Sequence, residues 1–143
     1  MNPLSLTDFP ARIRSEGPRL QGVRVLVADD DPTSLLAMRH VLVTEGAQVV
    51  VAADGLQALE AVERAECAFD VVVMDVRMPV MDGLEATRRI RAIRQTLPVV
   101  GQTADKASGE VGKCLAAGMA SVLTKPFGID LLVATVRAVT GRA

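Results

Sequence analysis

From Val23 onward, short apolar runs alternate strictly with stretches of helical periodicity, and few folds satisfy that order. The runs cover 23–28, 47–52, 70–74, 98–103 and 121–124, each too short for an ordinary helix. After each comes a segment whose apolar residues recur at helical spacing. These are Leu35, Met38 and Leu42, then Leu56, Leu59 and Val62, then Leu84, Ile90 and Ile93. Val111, Cys114 and Leu115 follow, and Leu132, Val136 and Val139 close the series. Leu84, Ile90 and Ile93 are expected to form the inward face of their helix. Strand–helix alternation of this kind predicts an α/β domain with a parallel sheet, right-handed crossovers and helices on both faces. Val71-Val-Val-Met74 is apolar throughout, as suits a strand covered on both sides.

At 143 residues the chain is long enough for one core. Half of it is hydrophobic but only 2% is aromatic, with no Trp or Tyr, so the core must be built from Val, Leu, Ala, Ile and Met. Residues 1–22, with Pro3, Pro10, Gly17 and Pro18, lack a sustained period and are expected to form a linker or a poorly ordered arm. The folded domain is expected over 23–141. A net charge of −1 argues against nucleic-acid binding by bulk electrostatics. The basic cluster Arg88-Arg89-Ile-Arg91 with Arg94 fits the solvated face of a helix. Cys67 and Cys114 have no metal-ligand spacing and are expected to be free thiols in a reducing compartment. No apolar run approaches the ~18 residues of a membrane span. The N-terminus lacks a signal-peptide layout. A cytoplasmic protein without membrane contact is expected.

The polar residues of interest sit where strands end. Asp29-Asp30-Asp31 follows the first run, Asp75 ends the third, Thr103 the fourth, and Lys125-Pro126 follows the fifth. An acid at the end of a strand covered on both faces must meet a cleft or a cation. Carboxylates ~5 Å apart repel by about 3 kcal/mol at an effective dielectric near 20. Such a cluster keeps a proton or recruits a cation. Taken singly, each residue has a plainer role. Asp31 before Pro32 is a helix N-cap, and Asp29 or Asp30 could cap the same helix. Thr103 alone is a strand-end residue, Lys125 a surface charge, and His40 a partly exposed helix residue.

Together the four motifs, with the loop Met78-Pro79 to Asp82-Gly83, resemble the receiver domain of bacterial two-component response regulators over nearly all of 23–140. The resemblance implies the flavodoxin-like strand order 2-1-3-4-5, with the site at the carboxyl ends beside the switch point. It implies that Asp75 accepts a phosphoryl group from the phosphohistidine of a histidine kinase or histidine phosphotransfer protein. Mg²⁺ would be ligated by Asp30, Asp75 and the backbone carbonyl of Arg77, with Asp29 acting mainly through metal-bound water. Thr103 and Lys125 would each meet a phosphoryl oxygen, and the Lys125–Pro126 bond would be cis. The domain would be a signalling switch with self-catalysed phosphorylation and autodephosphorylation, not a metabolic enzyme. A monomer is expected, without an output domain after the last helix. The lead-in Leu20-Gln-Gly-Val-Arg-Val-Leu-Val and the loop Met81-Asp-Gly-Leu-Glu-Ala-Thr look like receivers attached to hybrid histidine kinases. A stand-alone single-domain regulator stays open beside that.

Rival functions explain less. Asp29-Asp-Asp31-Pro-Thr33 matches the Asp-x-Asp-x-Thr motif of haloacid dehalogenase-type phosphohydrolases, with Asp29 as nucleophile and Asp31 as general acid. That family wants a late acidic pair where this chain has Thr124-Lys125, and the match leaves Asp75 unexplained. A nucleotide-binding module is weaker, because no G-x-G-x-x-G follows the first run and Gly112-Lys113 lacks a Gly-rich loop. A degenerate receiver used only as a scaffold would have lost an acid, the Thr or the Lys. Two finer expectations concern the switch. Arg77 and Asp105, two positions past Asp75 and Thr103, are expected to pair and shield the acyl phosphate. Val122, three before the lysine, stands where many receivers carry an aromatic rotor, so output is expected to run through the loop after Thr103 and the fourth helix.

Overall fold

The structure is a computed structural model that describes residues 18–65, 68–104 and 109–141. Five strands form one parallel sheet in the order 2-1-3-4-5: β1 (Arg24–Ala28), β2 (Gln48–Ala52), β3 (Val71–Asp75), β4 (Val99–Thr103) and β5 (Ser121–Thr124). The helices between and after them are α1 (Pro32–Thr44), α2 (Gly55–Arg64), α3 (Gly83–Ile93), α4 (Glu110–Ala117) and α5 (Ile129–Thr140). The flavodoxin-like architecture expected from the sequence is the one observed.

Alternation along the strands divides the core into two layers. Leu26, Ala28, Val72, Met74 and Val99 face α2, α3 and α4 through Ala58, Leu59, Val62, Ala86, Ile90 and Cys114. Val25, Val27, Val71, Val73 and Val100 face α1 and α5 through Leu42, Leu132, Val133 and Val136. Strand β3 is buried along its whole length, whereas β2 lies at the sheet edge with Val50 and Val51 exposed.

The expected inward face needs one correction. Ile93 is exposed rather than inward, and Leu56 and Leu115 of the neighbouring helices are exposed as well. Small residues hold the contact line instead: Gly55 and Ala58 in α2, Gly83 and Ala86 in α3, Ala117 in α4. Removing bulk there lets a helix backbone approach the sheet, which displaces the large aliphatic residues to its flanks.

Capping sets where helices begin. Asp31 accepts from the Thr33 N–H, Asp54 from Gln57 and Asp82 from Glu85. Packing also reaches ahead of β1. Leu20 is fully buried, and Arg19 forks onto Glu45 at the end of α1, with distances of 3.1 and 3.0 Å, and reaches Asp130 of α5 at 3.0 Å. These contacts fall on the arm side of the boundary expected at residue 22. On α3, Arg88 and Arg89 pair with Glu85 and Arg91 donates to the Leu97 carbonyl, in keeping with a solvated basic face. Cys114 is a buried free thiol; Cys67 lies outside the described residues. Among the described residues, no helix is long and apolar enough to cross a membrane.

Candidate functional site

Register brings the acids together. Ala28 of β1 pairs with Met74 of β3, so Asp29 and Asp75 each stand one step past the same rung. Asp30 follows on the loop to α1. Ligand oxygens of Asp29, Asp30 and Asp75 all lie within 4.8 Å of one another. Asp29 is nearly buried and accepts the Asp31 N–H at 2.9 Å, while Asp30 is exposed. Lys125 enters from the far side of β4, its Nζ 3.5 Å from Asp29 Oδ2 and 3.8 Å from Asp75 Oδ1. The Lys125–Pro126 bond is cis.

Asp75 is held in a demanding position. Burial is the main reason its carboxyl is pushed up from 3.8 to about 6; Lys125 opposes the rise, the neighbouring Asp29 carboxylate adds to it, and a hydrogen bond from the Arg77 N–H opposes it. The loop after Asp75 turns tightly to start α3. Gly83 donates its N–H to the Val76 carbonyl at 2.8 Å, and a Cβ on Gly83 would sit 2.1 Å from the Asp75 carbonyl oxygen. Only glycine fits there, so the Asp82-Gly83 pair is tied to the placement of the aspartate. Oxygen-only donors clustered this closely, with one ammonium beside them, fit a small hard divalent cation.

Thr103 ends β4 on the same edge and is 1% exposed. Its hydroxyl donates to Oε1 of Glu110, the first residue of α4. The other oxygen of Glu110 takes the Arg77 guanidinium at 2.8 Å. Sequence reasoning missed Glu110, because an acid in the first turn of a helix is ordinarily there for the helix dipole. Asp105, the expected partner of Arg77, lies outside the described residues. Val122 of β5 is half-buried and packs on the layer beneath α2, α3 and α4. A cleft of about 320 Å³ flanks Lys125 between α1 and α5, lined by Met38, Val41, Gln102, Phe127 and Leu132 among others. A larger one, about 450 Å³, lies at the opposite end of the sheet and touches none of the clustered acids.

A parallel 2-1-3-4-5 sheet whose carboxyl edge gathers three acids, a threonine and a lysine defines a class of phosphoryl-accepting signalling domains. Residues 25–137 match the family model of the response regulator receiver domain, and the chain belongs to that family. It is a receiver domain of two-component systems, a signalling switch. Sensor protein GacS of Pseudomonas syringae pv. syringae is 40% identical over 148 residues, covering 98% of this chain and 16% of that protein. Sensor histidine kinase RcsC of Salmonella typhimurium is 42% identical over 111 residues, covering 78% of this chain and 12% of that protein. The chain thus spans a small part of the length of these relatives. Among solved structures, the receiver domain of sensor histidine kinase PA1611 from Pseudomonas aeruginosa PAO1 matches with a TM-score of 0.78 and 35% identity, over 84% of this chain and 98% of that one. In that structure a magnesium ion is coordinated in the active site cleft.

Proposed function

We propose that Asp75 accepts a phosphoryl group from the phosphohistidine of a histidine kinase or phosphotransfer protein. The convergence of Asp29, Asp30 and Asp75 beside Lys125 carries this reading. A carboxylate oxygen of Asp75 attacks phosphorus in line; the P–N bond to the donor imidazole breaks, and its electron pair stays on that nitrogen. Lys125 offers an ammonium to one transferring oxygen and Thr103 a hydroxyl to another, so charge that grows in the transition state meets groups fixed in advance. Asp30, Asp75 and the Arg77 carbonyl would hold Mg²⁺, with Asp29 acting through its water. When bound, the ion neutralises the acids and the incoming phosphoryl oxygens.

The domain works as a switch and not as a turnover enzyme, since its own carboxylate is the acceptor. We take 23–141 as the receiver and 1–22 as an arm leading into it, in a monomeric cytoplasmic domain. Similarity to stretches of GacS and RcsC favours a place in, or beside, a hybrid kinase relay. Output runs through the end of β4 and the start of α4, because stiff, β-branched Val122 has no large alternative rotamer to swing.

Acetyl phosphate or a phosphohistidine donor, with Mg²⁺, is expected to label Asp75, and Asp75→Asn is expected to abolish labelling while the fold survives. Label on Asp29 in the Asp75→Asn protein would transfer the nucleophile to the haloacid dehalogenase-like motif.

A further inference from the structure

Glu110 touches two parts of the site at once. It is 7% exposed, its Gly109 N-cap supplies no side-chain hydrogen bond, and its two oxygens reach different loops. Oε1 accepts from the Thr103 hydroxyl at the end of β4; Oε2 holds Arg77, two residues past Asp75. The carboxylate therefore straddles the loops that flank the phosphoacceptor.

We infer that Glu110 is a clasp that holds the unphosphorylated state and competes with the phosphoryl group for Thr103. This rests on the assignment of Asp75 and Thr103 proposed above. The conflict is stoichiometric. A hydroxyl has one hydrogen to donate, so Thr103 cannot serve Glu110 and a phosphoryl oxygen together. A hydrogen bond to a carboxylate is also roughly twice as strong as one to a neutral acceptor, so the clasp is a serious competitor. Once Thr103 leaves, a buried carboxylate stays behind with Arg77 as its partner among the described residues, and the added phosphoryl charge lies on the same edge of the sheet. Glu110 sits at the first position of α4, so any shift that relieves this is passed directly to that helix. Glu110 is a positioning residue here. It acts through Thr103 and pairs with none of the three clustered acids among the described contacts.

The test uses beryllofluoride, a phosphoryl analogue, with Mg²⁺. Glu110→Gln keeps an acceptor but removes the charge, and is expected to tighten beryllofluoride binding about threefold. Glu110→Ala removes the acceptor and is expected to tighten it about tenfold. Affinity for Mg²⁺ alone is expected to stay at the wild-type value in both. In a Thr103→Val background, where no hydroxyl is contested, Glu110→Gln is expected to leave beryllofluoride binding unchanged, a non-additivity read by a double-mutant cycle. As an independent readout, amide signals of residues 103 and 110–112 in free Glu110→Gln are expected to lie between the free and beryllofluoride-bound wild-type positions. Wild-type affinity in both Glu110 variants, or equal effects with and without the Thr103 hydroxyl, overturns the clasp. Failure of wild-type protein to bind beryllofluoride, or labelling that persists in Asp75→Asn, overturns instead the site assignment on which the clasp rests.

Discussion

Two aspartates bracket the same strand and lead opposite lives. Asp70, just before β3, accepts the Arg24 N–H at 2.8 Å and donates its own N–H to the Arg24 carbonyl at 2.8 Å, closing β1 onto β3. Arg24 lies over the Phe69 ring, 6.0 Å from its centre. Asp75, at the other end, is crowded against Asp29 and Asp30, and its charge is resisted by burial. At the amino edge charge is used to fasten the sheet. At the carboxyl edge it is left in surplus, in a cluster that fits a cation. Sheet closure and the candidate site are thus separated by the length of one strand.

Removing each charge is expected to have opposite signs, and this is the largest effect that could break the contrast. For Asp75 the folded-state carboxyl is raised to about 6 from 3.8, so the native state holds the proton more tightly than the unfolded chain. Its charge then costs stability, with no cost below pH 3.8, a growing cost between 3.8 and 6, and the full cost above 6. Asp75→Asn is expected to stabilise the metal-free protein at pH 7 by on the order of 1–3 kcal/mol, with the gain fading toward pH 4. Urea melts in a chelator, run at pH 4 and pH 7, measure it. Mg²⁺ is expected to narrow the gap by stabilising the wild type. Asp70→Ala is expected to destabilise by about 1 kcal/mol and to leave Asp75 labelling intact. A destabilised Asp75→Asn, or a neutral Asp70→Ala, would show that the two ends do not differ in this way.

A smaller effect sharpens the amino-edge half of the comparison. The hydrogen bonds from Arg19 hold the Glu45 carboxyl below its usual 4.5, against an opposing contribution from burial. A depressed carboxyl contributes stability above its unfolded value, and loses it as pH falls through the folded one. Arg19→Ala is expected to cost about 1 kcal/mol at neutral pH, as a forked, partly buried pair allows. The difference from wild type is expected to shrink as pH falls below 4.5. Thermal melts across pH 3 to 7 check it; a difference that persists undiminished at the acid end would assign the effect to side-chain packing over Leu20 instead.

What the sequence revealed divides along the same line. As candidates, Asp75 was legible because an acid is conspicuous at the end of four apolar residues, Thr103 because it ends a strand, and Lys125 because it directly follows one. Alternation alone specified a parallel sheet with helices on both faces. Strand order came from family resemblance, since periodicity says nothing about which strands are neighbours. Glu110 was illegible, because its contacts are to two partners 7 and 33 positions away in the chain that only the fold brings together. Leu20 and Arg19 were hidden by the Pro- and Gly-bearing segment around them. The inward face misled at Ile93 because size was read as burial, while small residues such as Gly83 and Ala86 are buried there.

The pairing register has a consequence for how such a chain can change length. Ala28 pairs with Ala52 and Met74, Asp75 with Gln102, and Thr103 with Thr124, so Asp29, Asp75, Thr103 and Lys125 each stand on the last rung or one step beyond it. Their meeting is a matter of counting. Deleting one residue inside β3 would turn the Asp75 side chain toward the opposite face, because strand side chains alternate with period two. The connections at the other edge, such as the turn from α1 to β2 or from α3 to β4, carry no such count. A residue gained there leaves the strand ends in step, so drift in length is tolerated at one edge of this sheet and forbidden at the other.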